Sequence, residues 1–268
     1  MLNNPGIRML FAFTNSHDVF PTVEIKGGLC YYLYDADYSG DCLYTLVQNG
    51  QRSATKRRLG DFDILIREPQ LAAIVKKVAE QIPQDEETVS SLISSDTPFG
   101  IPTNPQSSKK NPIPVFENAD KGHDTKLLYL DKAERKIAYI DGSKITKNAA
   151  DIEKDKVFVP KAGGSGIDPN VLGKPEYGTP NSVCSQTFLY APFESRAEAE
   201  NFITYMKTRF FRLLVSACKI SQDAPSKAYR FVPMQDFSKP WTDAELYEKY
   251  GLSDEEIAFI EATIKPME

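Results

Sequence analysis

The segment LCYYLY, residues 29 to 34, decides the fold class that we predict for this chain of 268 residues. Every position in it is apolar or aromatic, which is typical of a strand covered on both faces of a sheet. The turn residues DADYSG follow at 35 to 40, and residues 42 to 47 predict the next strand. Upstream, Met9, Phe11 and Phe13 recur at every second position, as on one face of a strand. The N-terminal part is therefore predicted to be built around a sheet.

Helix signals complete a mixed α/β prediction. Pro69 begins a segment with one apolar side, as expected of a surface helix. Ser195 and Glu198 form a capping-box pattern, and apolar residues then recur at three- and four-residue steps, which predicts one long helix. Thr242 and Ser253 are N-cap signals for two helices in a C-terminal tail. The predicted fold class is α/β, of the mixed α+β kind.

The middle of the chain has a different texture. Residues 90 to 114 are rich in Ser, Pro, Asn and Lys, which predicts a long irregular loop. Residues 126 to 139 predict a hairpin, and residues 157 to 159 and 183 to 190 predict two more strands. A Gly/Pro loop is expected at residues 160 to 179. This region is therefore predicted to be β-rich and irregular.

Charge and composition exclude several classes. The formal net charge of −5 excludes a uniformly basic nucleic-acid-binding domain but allows a basic face. Residues 236 to 268 carry nine acidic and three basic residues, so residues 1 to 235 have a net charge of +1. No apolar run reaches the roughly 18 residues of a membrane span. The N-terminal segment has no secretory leader pattern, and the four cysteines have no CxxC spacing. We expect reduced thiols, no zinc site and a cytoplasmic location.

Two patterns resemble catalytic sites. PKAGGSG, residues 160 to 166, follows a predicted strand as a cofactor loop would, but no helix begins after its glycines, so a flexible surface loop is the favoured interpretation. A nuclease-type metal site needs two carboxylates and a cation, which Asp61, Asp63 and Arg67 could supply, or Asp131 with Lys144. Such sets arise by chance in charged chains. No GxSxG or HExxH motif is present.

Basic residues form the more informative pattern. Four of them lie within seven positions: Arg52, Lys56, Arg57 and Arg58. Lys109 and Lys110 lie in the proline-rich segment, and more lysines surround the predicted hairpin. Lys and Arg on loops, with Asn, Ser and Tyr between them, suit phosphate and base contacts. The alternative is a solvated charged face with no ligand.

A family resemblance adds to this interpretation. The stretch SHDVFPTVEIKGGLCYYLYDADYSGDC, residues 16 to 42, resembles the later part of the methylase domain of type IIG-like, adenine-specific DNA methyltransferases of restriction–modification systems. Similar stretches follow in order: SSDTPFGIPTN at 94 to 104, KVFVPKAGGSG at 156 to 166, GTPNSVCSQTFLYAPF at 178 to 193, and residues 229 to 267. Together they extend over almost the whole chain.

The resemblance implies a division of labour. In such enzymes a Rossmann-like methylase binds S-adenosylmethionine and flips the target adenine, and a later domain recognises the surrounding DNA. Their catalytic motif is an Asn-Pro-Pro-Tyr type tetrapeptide. Asn4-Pro5-Gly6, Asn104-Pro105-Gln106 and Asn111-Pro112-Ile113 all lack the second proline and the aromatic residue. We therefore expect no catalytic residues in this chain. Since a convincing cofactor loop is also missing, we expect no cofactor here, with S-adenosylmethionine bound by the complete enzyme.

The resemblance also implies domains and partners. Residues 1–81 would be the remnant of the methylase sheet, 82–235 a target-recognition domain with a long helix, and 236–268 an acidic helical tail. The expected partners are double-stranded DNA and a methylase domain or subunit. Alternatives are a restriction endonuclease component of the same system, or a protein-interaction scaffold that has lost DNA binding.

The predicted DNA contacts combine this resemblance with residue chemistry. Asn and Gln side chains pair with adenine edges and Arg or Lys with guanine or phosphate, whereas turn stabilisation is the alternative role for each residue. The full set is Arg52, Lys56, Arg57, Arg58, Ser94, Thr97, Thr103, Asn104, Lys109, Lys110, Lys161, Asn181, Ser182 and Gln186. The backbone of Gly163 to Gly166 is expected to approach a phosphate beside Lys161.

Overall fold

The structure, a computed structural model, describes residues 2–267 apart from 24, 26, 27, 49, 84, 108–111, 133, 164–168 and 220. It has the mixed α/β fold that the sequence predicts. The strands β1 to β10 are Ile7–Phe13, Leu29–Tyr34, Cys42–Gln48, Gln51–Arg57, Thr125–Asp131, Glu134–Ile140, Asp155–Pro160, Glu176–Gly178, Ser182–Cys184 and Phe188–Phe193. The helices α1 to α6 are Pro69–Ala79, Val89–Leu92, Arg196–Lys207, Arg209–Ser216, Asp243–Lys249 and Asp254–Thr263.

Two compact units divide the chain, Met1–Lys77 and Val78–Glu268. The second unit includes the acidic tail as well as the β-rich middle region. The functional boundaries predicted at residues 81 and 235 stay predictions. Among the described residues, no helix combines the length and the apolar character that crossing a membrane requires.

The first unit contains a four-stranded sheet with the strand order β2-β1-β3-β4. Strands β1 and β3 are parallel, whereas β2 pairs with β1 and β4 pairs with β3 in the antiparallel direction. Leu10 of β1 and Tyr44 and Leu46 of β3 are buried in one cluster. The strand predicted upstream is therefore confirmed as β1, but its core face is that of Leu10 and Ala12, and Met9 and Phe11 of the predicted alternation are only partly buried.

The prediction for residues 29 to 34 is right about the strand and wrong about its environment. They form β2, but β2 lies at the edge of the sheet, and Tyr31, Tyr32, Leu33 and Tyr34 each expose at least half of their surface. An apolar pattern indicates that a strand is suited to burial on both faces. It does not indicate whether other parts of the described chain pack on those faces.

The second unit contains two three-stranded sheets, with the orders β10-β7-β8 and β6-β5-β9. The predicted hairpin is confirmed as β5 and β6, which pair in register from Thr125 with Ile140 to Asp131 with Glu134. The strand predicted at 183 to 190 is instead two strands, β9 and β10, separated by residues 185–187. Leu127, Val183 and Phe188 belong to one buried cluster that joins the two sheets.

The single long helix predicted after Ser195 is wrong. Its start is correct, since the Ser195 and Glu198 capping box is present. Thr208, however, has an extended backbone at φ −62° and ψ 149° that ends α3, and its hydroxyl caps α4 by accepting from the Phe211 N–H. Asp243 accepts from two further N–H groups at the start of α4. Helix α5 therefore helps to hold the break in place.

Candidate nucleic-acid interface

The segment 94–104, within the predicted irregular loop, is firmly anchored at its base. Ser94 and Tyr190 exchange two hydrogen bonds, one from each backbone N–H, at 2.8 and 2.9 Å. The buried ring of Phe99 stacks on Tyr190 with centroids 4.8 Å apart. The Ile101 carbonyl accepts from the Gln186 N–H at 2.8 Å. Through these contacts, one side of the segment packs into the core of the second unit.

A second set of contacts fixes the turn at its tip. The ammonium of Lys147 donates to the carbonyls of Asp96 and Thr97 at 2.9 and 2.7 Å. The Asn148 amide donates to the Pro98 carbonyl at 2.9 Å. Thr97 has a positive φ of 52°, which is uncommon for a non-glycine residue. Thr97 therefore has a structural role in the turn.

The outer side of this segment carries polar groups. The Gln186 amide donates to the Thr103 hydroxyl at 2.8 Å, although 83 positions separate them in sequence. Gln186 and Asn104 are exposed. The Lys161 ammonium lies 3.1 Å from an Asp96 carboxylate oxygen. We call the set Asp96, Thr97, Thr103, Asn104, Lys161 and Gln186 the recognition surface.

The chemistry of this surface suits contact with a polar polymer. Side-chain amides such as those of Asn104 and Gln186 present a donor and an acceptor together, the pattern that pairs with an adenine edge. Lys161 is a cation for phosphate, but Asp96 neutralises it in this structure. The surface therefore combines two side-chain amides with a lysine whose charge Asp96 balances, and it has no strong positive field of its own.

Strand β7 positions Lys161 through its backbone. The Lys161 N–H donates to the Thr187 carbonyl and its carbonyl accepts from the Ala224 N–H, at 2.9 and 2.8 Å. Within β7, Lys156 is fully buried, and its ammonium donates to the carbonyls of Ile152, Lys154 and Thr179. Burial lowers the pKa of Lys156 to about 8. The strand that ends at the recognition surface is therefore tied to neighbouring segments by a buried cation.

Asn181 and Ser182, two of the predicted DNA contacts, lie at the start of β9, whereas Gln186 follows its end. Ser182 is buried, and its hydroxyl donates to the Thr179 carbonyl, so it presents no polar group to the surface. Asn181 accepts from the Thr125 hydroxyl at 2.7 Å and has a positive φ of 54°. Asn181 also lines a cleft of about 630 Å³ that holds three acidic residues, Asp124, Asp141 and Glu153. Carboxylates repel phosphate, so we leave Asn181 and Ser182 outside the recognition surface.

The basic cluster lies in the first unit and belongs to a strand, where the sequence predicted a loop. Arg52 and Lys56 are exposed on β4. Arg57 is partly buried, where its guanidinium donates to the Ile66 carbonyl at 2.9 Å and lies 5.3 Å from the centre of the Tyr44 ring. Arg58 follows the strand and pairs with Asp41 at 3.5 Å. Two of the four cations are therefore open to a ligand, and all four stay predictions as DNA contacts.

Several of the charged residues considered for a nuclease-type metal site form ion pairs in the structure. Lys136 pairs with Asp131 at 2.5 Å and Lys144 with Asp141 at 3.2 Å, which separates the nuclease-type pair considered for Asp131 and Lys144. Asp61 pairs with Lys76. In the described ranges, no group of three His, Cys, Asp or Glu side chains could hold a metal ion. Lys109, Lys110 and Gly164 to Gly166 lie outside the described residues.

Three residues of this region were not predicted as site residues. Asp96 lies inside the quoted stretch SSDTPFGIPTN, so its position was available from sequence, but its pairing with Lys161 across 65 positions was not. Lys147 and Asn148 follow the β5–β6 hairpin, and their contacts with 96–98 cross about 50 positions. No local signal indicates such long-range pairs.

Comparisons with known proteins give distant structural neighbours. No protein-family model and no curated protein sequence matches this chain. One solved neighbour is the type IIG restriction endonuclease BpuSI, with a TM-score of 0.39, 9% identity, and coverage of 94% of this chain and 39% of that one. Another is the type IIL restriction-modification enzyme MmeI, solved in complex with DNA, with a TM-score of 0.38, 10% identity, and coverage of 84% and 34%. This chain thus spans about two-fifths and one-third of these enzymes.

Proposed function

We propose that this chain is a DNA-recognition module, the specificity portion of a restriction–modification adenine-specific DNA methyltransferase. The observation that carries the proposal is the recognition surface. It brings together side chains from three separate segments on an anchored turn: Thr103 with Gln186, and Asp96 with Lys161. Scaffolded loops of this kind are where proteins place binding residues.

The module acts with a methylase portion that supplies catalysis. In this proposal the partner supplies the Asn-Pro-Pro-Tyr type motif and binds S-adenosylmethionine, because the glycine loop PKAGGSG of the present chain is not followed by a helix-start pattern. Gln186 and Asn104 read base edges in double-stranded DNA, and Lys161 contacts a phosphate after leaving Asp96. The exposed Arg52 and Lys56 of the first unit add phosphate contacts.

Selection from randomised duplexes tests the reading of sequence. The wild-type chain should enrich a motif, and Gln186→Ala or Asn104→Ala should relax the preference at one position, by about 1–3 kcal/mol for a lost bidentate contact. Asn118→Ala is the matched control, since Asn118 is an exposed amide outside the recognition surface. If Gln186→Ala and Asn104→Ala enrich the same motif as the wild type, the proposal that these two side chains contact bases is contradicted. No enrichment by the wild-type chain would contradict sequence recognition itself.

A further inference from the structure

Exposed apolar side chains are concentrated in one short part of the first unit. In the part of the chain that the structure describes, ten large apolar side chains are exposed. Eight of them lie between residues 19 and 34: Val19, Phe20, Val23, Ile25, Tyr31, Tyr32, Leu33 and Tyr34. Exposed apolar side chains concentrated in this way usually mark a contact site for another macromolecule.

The concentration coincides with an unprotected sheet edge. Edge strands usually carry a charge or a proline, or are very short, because their free N–H and C=O groups invite pairing with another chain. Here β4 has Arg52 and Lys56, β6 has Arg135 and Lys136, and β10 has Pro192 and is mostly buried. Strands β8 and β9 have three residues each. Among these described sheet edges, only β2 is long, exposed and uncharged.

We propose that β2 pairs with β2 of a second copy of this chain. Pairing two copies of one strand side by side in the antiparallel direction is what a two-fold axis perpendicular to the sheet produces. Side chains alternate between the two faces, so this symmetry places each residue opposite one that lies on its own face. One such register sets Tyr32 opposite itself and Tyr31 opposite Leu33 of the second copy. The two four-stranded sheets then become one continuous sheet.

Charge favours the second copy as the occupant. No charged residue lies in β2, so two copies meet without like-charge repulsion along the seam. Just after β2, the Asp35 carboxylate is paired with Arg8 of β1 at 3.4 Å, so it brings no unpaired charge to that end of the seam. Aromatic residues opposite one another across such a seam add stability beyond the area that they bury.

The exposed surface of β2 supplies a large share of the area of a dimer interface. Tyr31, Tyr32, Leu33 and Tyr34 expose 50–55% of their surface. With about 150–250 Å² for a whole large side chain, these four residues offer on the order of 400 Å² per copy. The strand backbones add to that value, and a standard interface buries about 800 Å² per partner. The proposal is independent of DNA recognition, since it concerns a different surface.

Sedimentation velocity over a hundredfold range of concentration tests the pairing. The wild-type chain should form a species of twice the 30.0 kDa chain mass. Leu33→Lys should shift it to the monomer by placing a charge on the seam, and Ile137→Lys, on the exposed residue of the charged edge strand β6, should leave the dimer unchanged. A wild-type monomer at every concentration, or a dimer that Leu33→Lys does not weaken, would overturn the proposal.

Hydrogen exchange on the wild-type chain gives a second, variant-free test. Amides of residues 29 to 34 should exchange more slowly at high than at low protein concentration, because the edge N–H groups gain partners. Slower exchange elsewhere with no change in β2 would overturn the assignment of the seam. DNA binding measured on Leu33→Lys should equal that of Ile137→Lys, which adds the same charge and leaves the dimer intact, and this separates the proposal from the proposed function.

Discussion

Buried cations in the second unit bind backbone carbonyl groups rather than carboxylates. Lys156 donates to three carbonyls, and Arg212 donates to those of Lys207, Thr208 and Asn170. Burial lowers the pKa of Arg212 to about 10 as well as that of Lys156. Carbonyl dipoles compensate only part of the cost of removing a charge from water. These side chains therefore cross-link irregular segments and make stability depend on pH.

The pH dependence of Lys156 has a definite sign. Its ordinary pKa of 10.5 applies to the unfolded chain, and burial lowers the folded value to about 8. Between these values the unfolded chain holds a proton that the folded chain has lost, so the free energy of unfolding rises as pH increases from about 8 toward 10. We expect urea denaturation to show this rise in the wild type and to show less of it in Lys156→Met. An identical pH response in both proteins would contradict the assignment.

The Lys161–Asp96 pair predicts opposite effects from two single substitutions. Asp96→Asn should strengthen binding to duplex DNA several-fold, because it removes a negative charge and frees Lys161. Lys161→Gln should weaken binding and reduce the slope of log affinity against log salt by about 1. Asp254→Asn, an exposed carboxylate on α6, is the control for a general charge effect. Equal gains from Asp96→Asn and Asp254→Asn would contradict a local role.

At the scale of the element, helix caps explain which boundaries sequence could predict. Ser195, Thr242 and Ser253 each begin a helix with a complete capping box, and all three starts were predicted. A cap is a local signal, since donor and acceptor lie three residues apart. The break at Thr208 was missed because no Gly or Pro marks it. Its local signal is the N-cap Thr208 inside an apolar pattern that continues on both sides, and two of the acceptors that hold the break come from Asp243, more than thirty positions away.

The same contrast applies to the strands and to the candidate site. Apolar patterns located β1, β2 and the β5–β6 hairpin, but the edge position of β2 depends on strand order, which no local pattern specifies. Likewise, residue chemistry selected Thr103 and Gln186 separately, and only the fold makes them a pair. The sequence therefore predicts elements that depend on local patterns, and it does not predict contacts between residues that are far apart in the chain.

Loss of one cap should have a measurable cost. Ser195→Ala removes the hydroxyl that accepts from the Glu198 N–H at the start of α3. We expect the free energy of unfolding to fall by about 1 kcal/mol in denaturant titration, the usual cost of an N-cap serine. Ser95→Ala, at an exposed serine, is the control and should change stability by less than about 0.5 kcal/mol. Equal effects at both serines would contradict the capping role.

At the scale of the whole molecule, the acidic tail is part of the second unit. Asp243 accepts from N–H groups of α4, Glu261 pairs with Arg209 at 3.1 Å, and Glu245 and Glu256 complete capping boxes. Much of the negative charge therefore has structural partners. A molecule with a net charge of −5 needs local cations to bind a polyanion, so its binding to DNA should weaken steeply with added salt.

The most direct test of DNA recognition is a fluorescence-anisotropy titration of the purified chain against randomised duplex DNA at about 50 and 200 mM salt. It is run with and without S-adenosylmethionine. We predict binding at the lower salt concentration that weakens steeply at the higher one and does not respond to S-adenosylmethionine. No binding at the lower salt concentration would contradict the proposal that this chain binds DNA without its methylase partner.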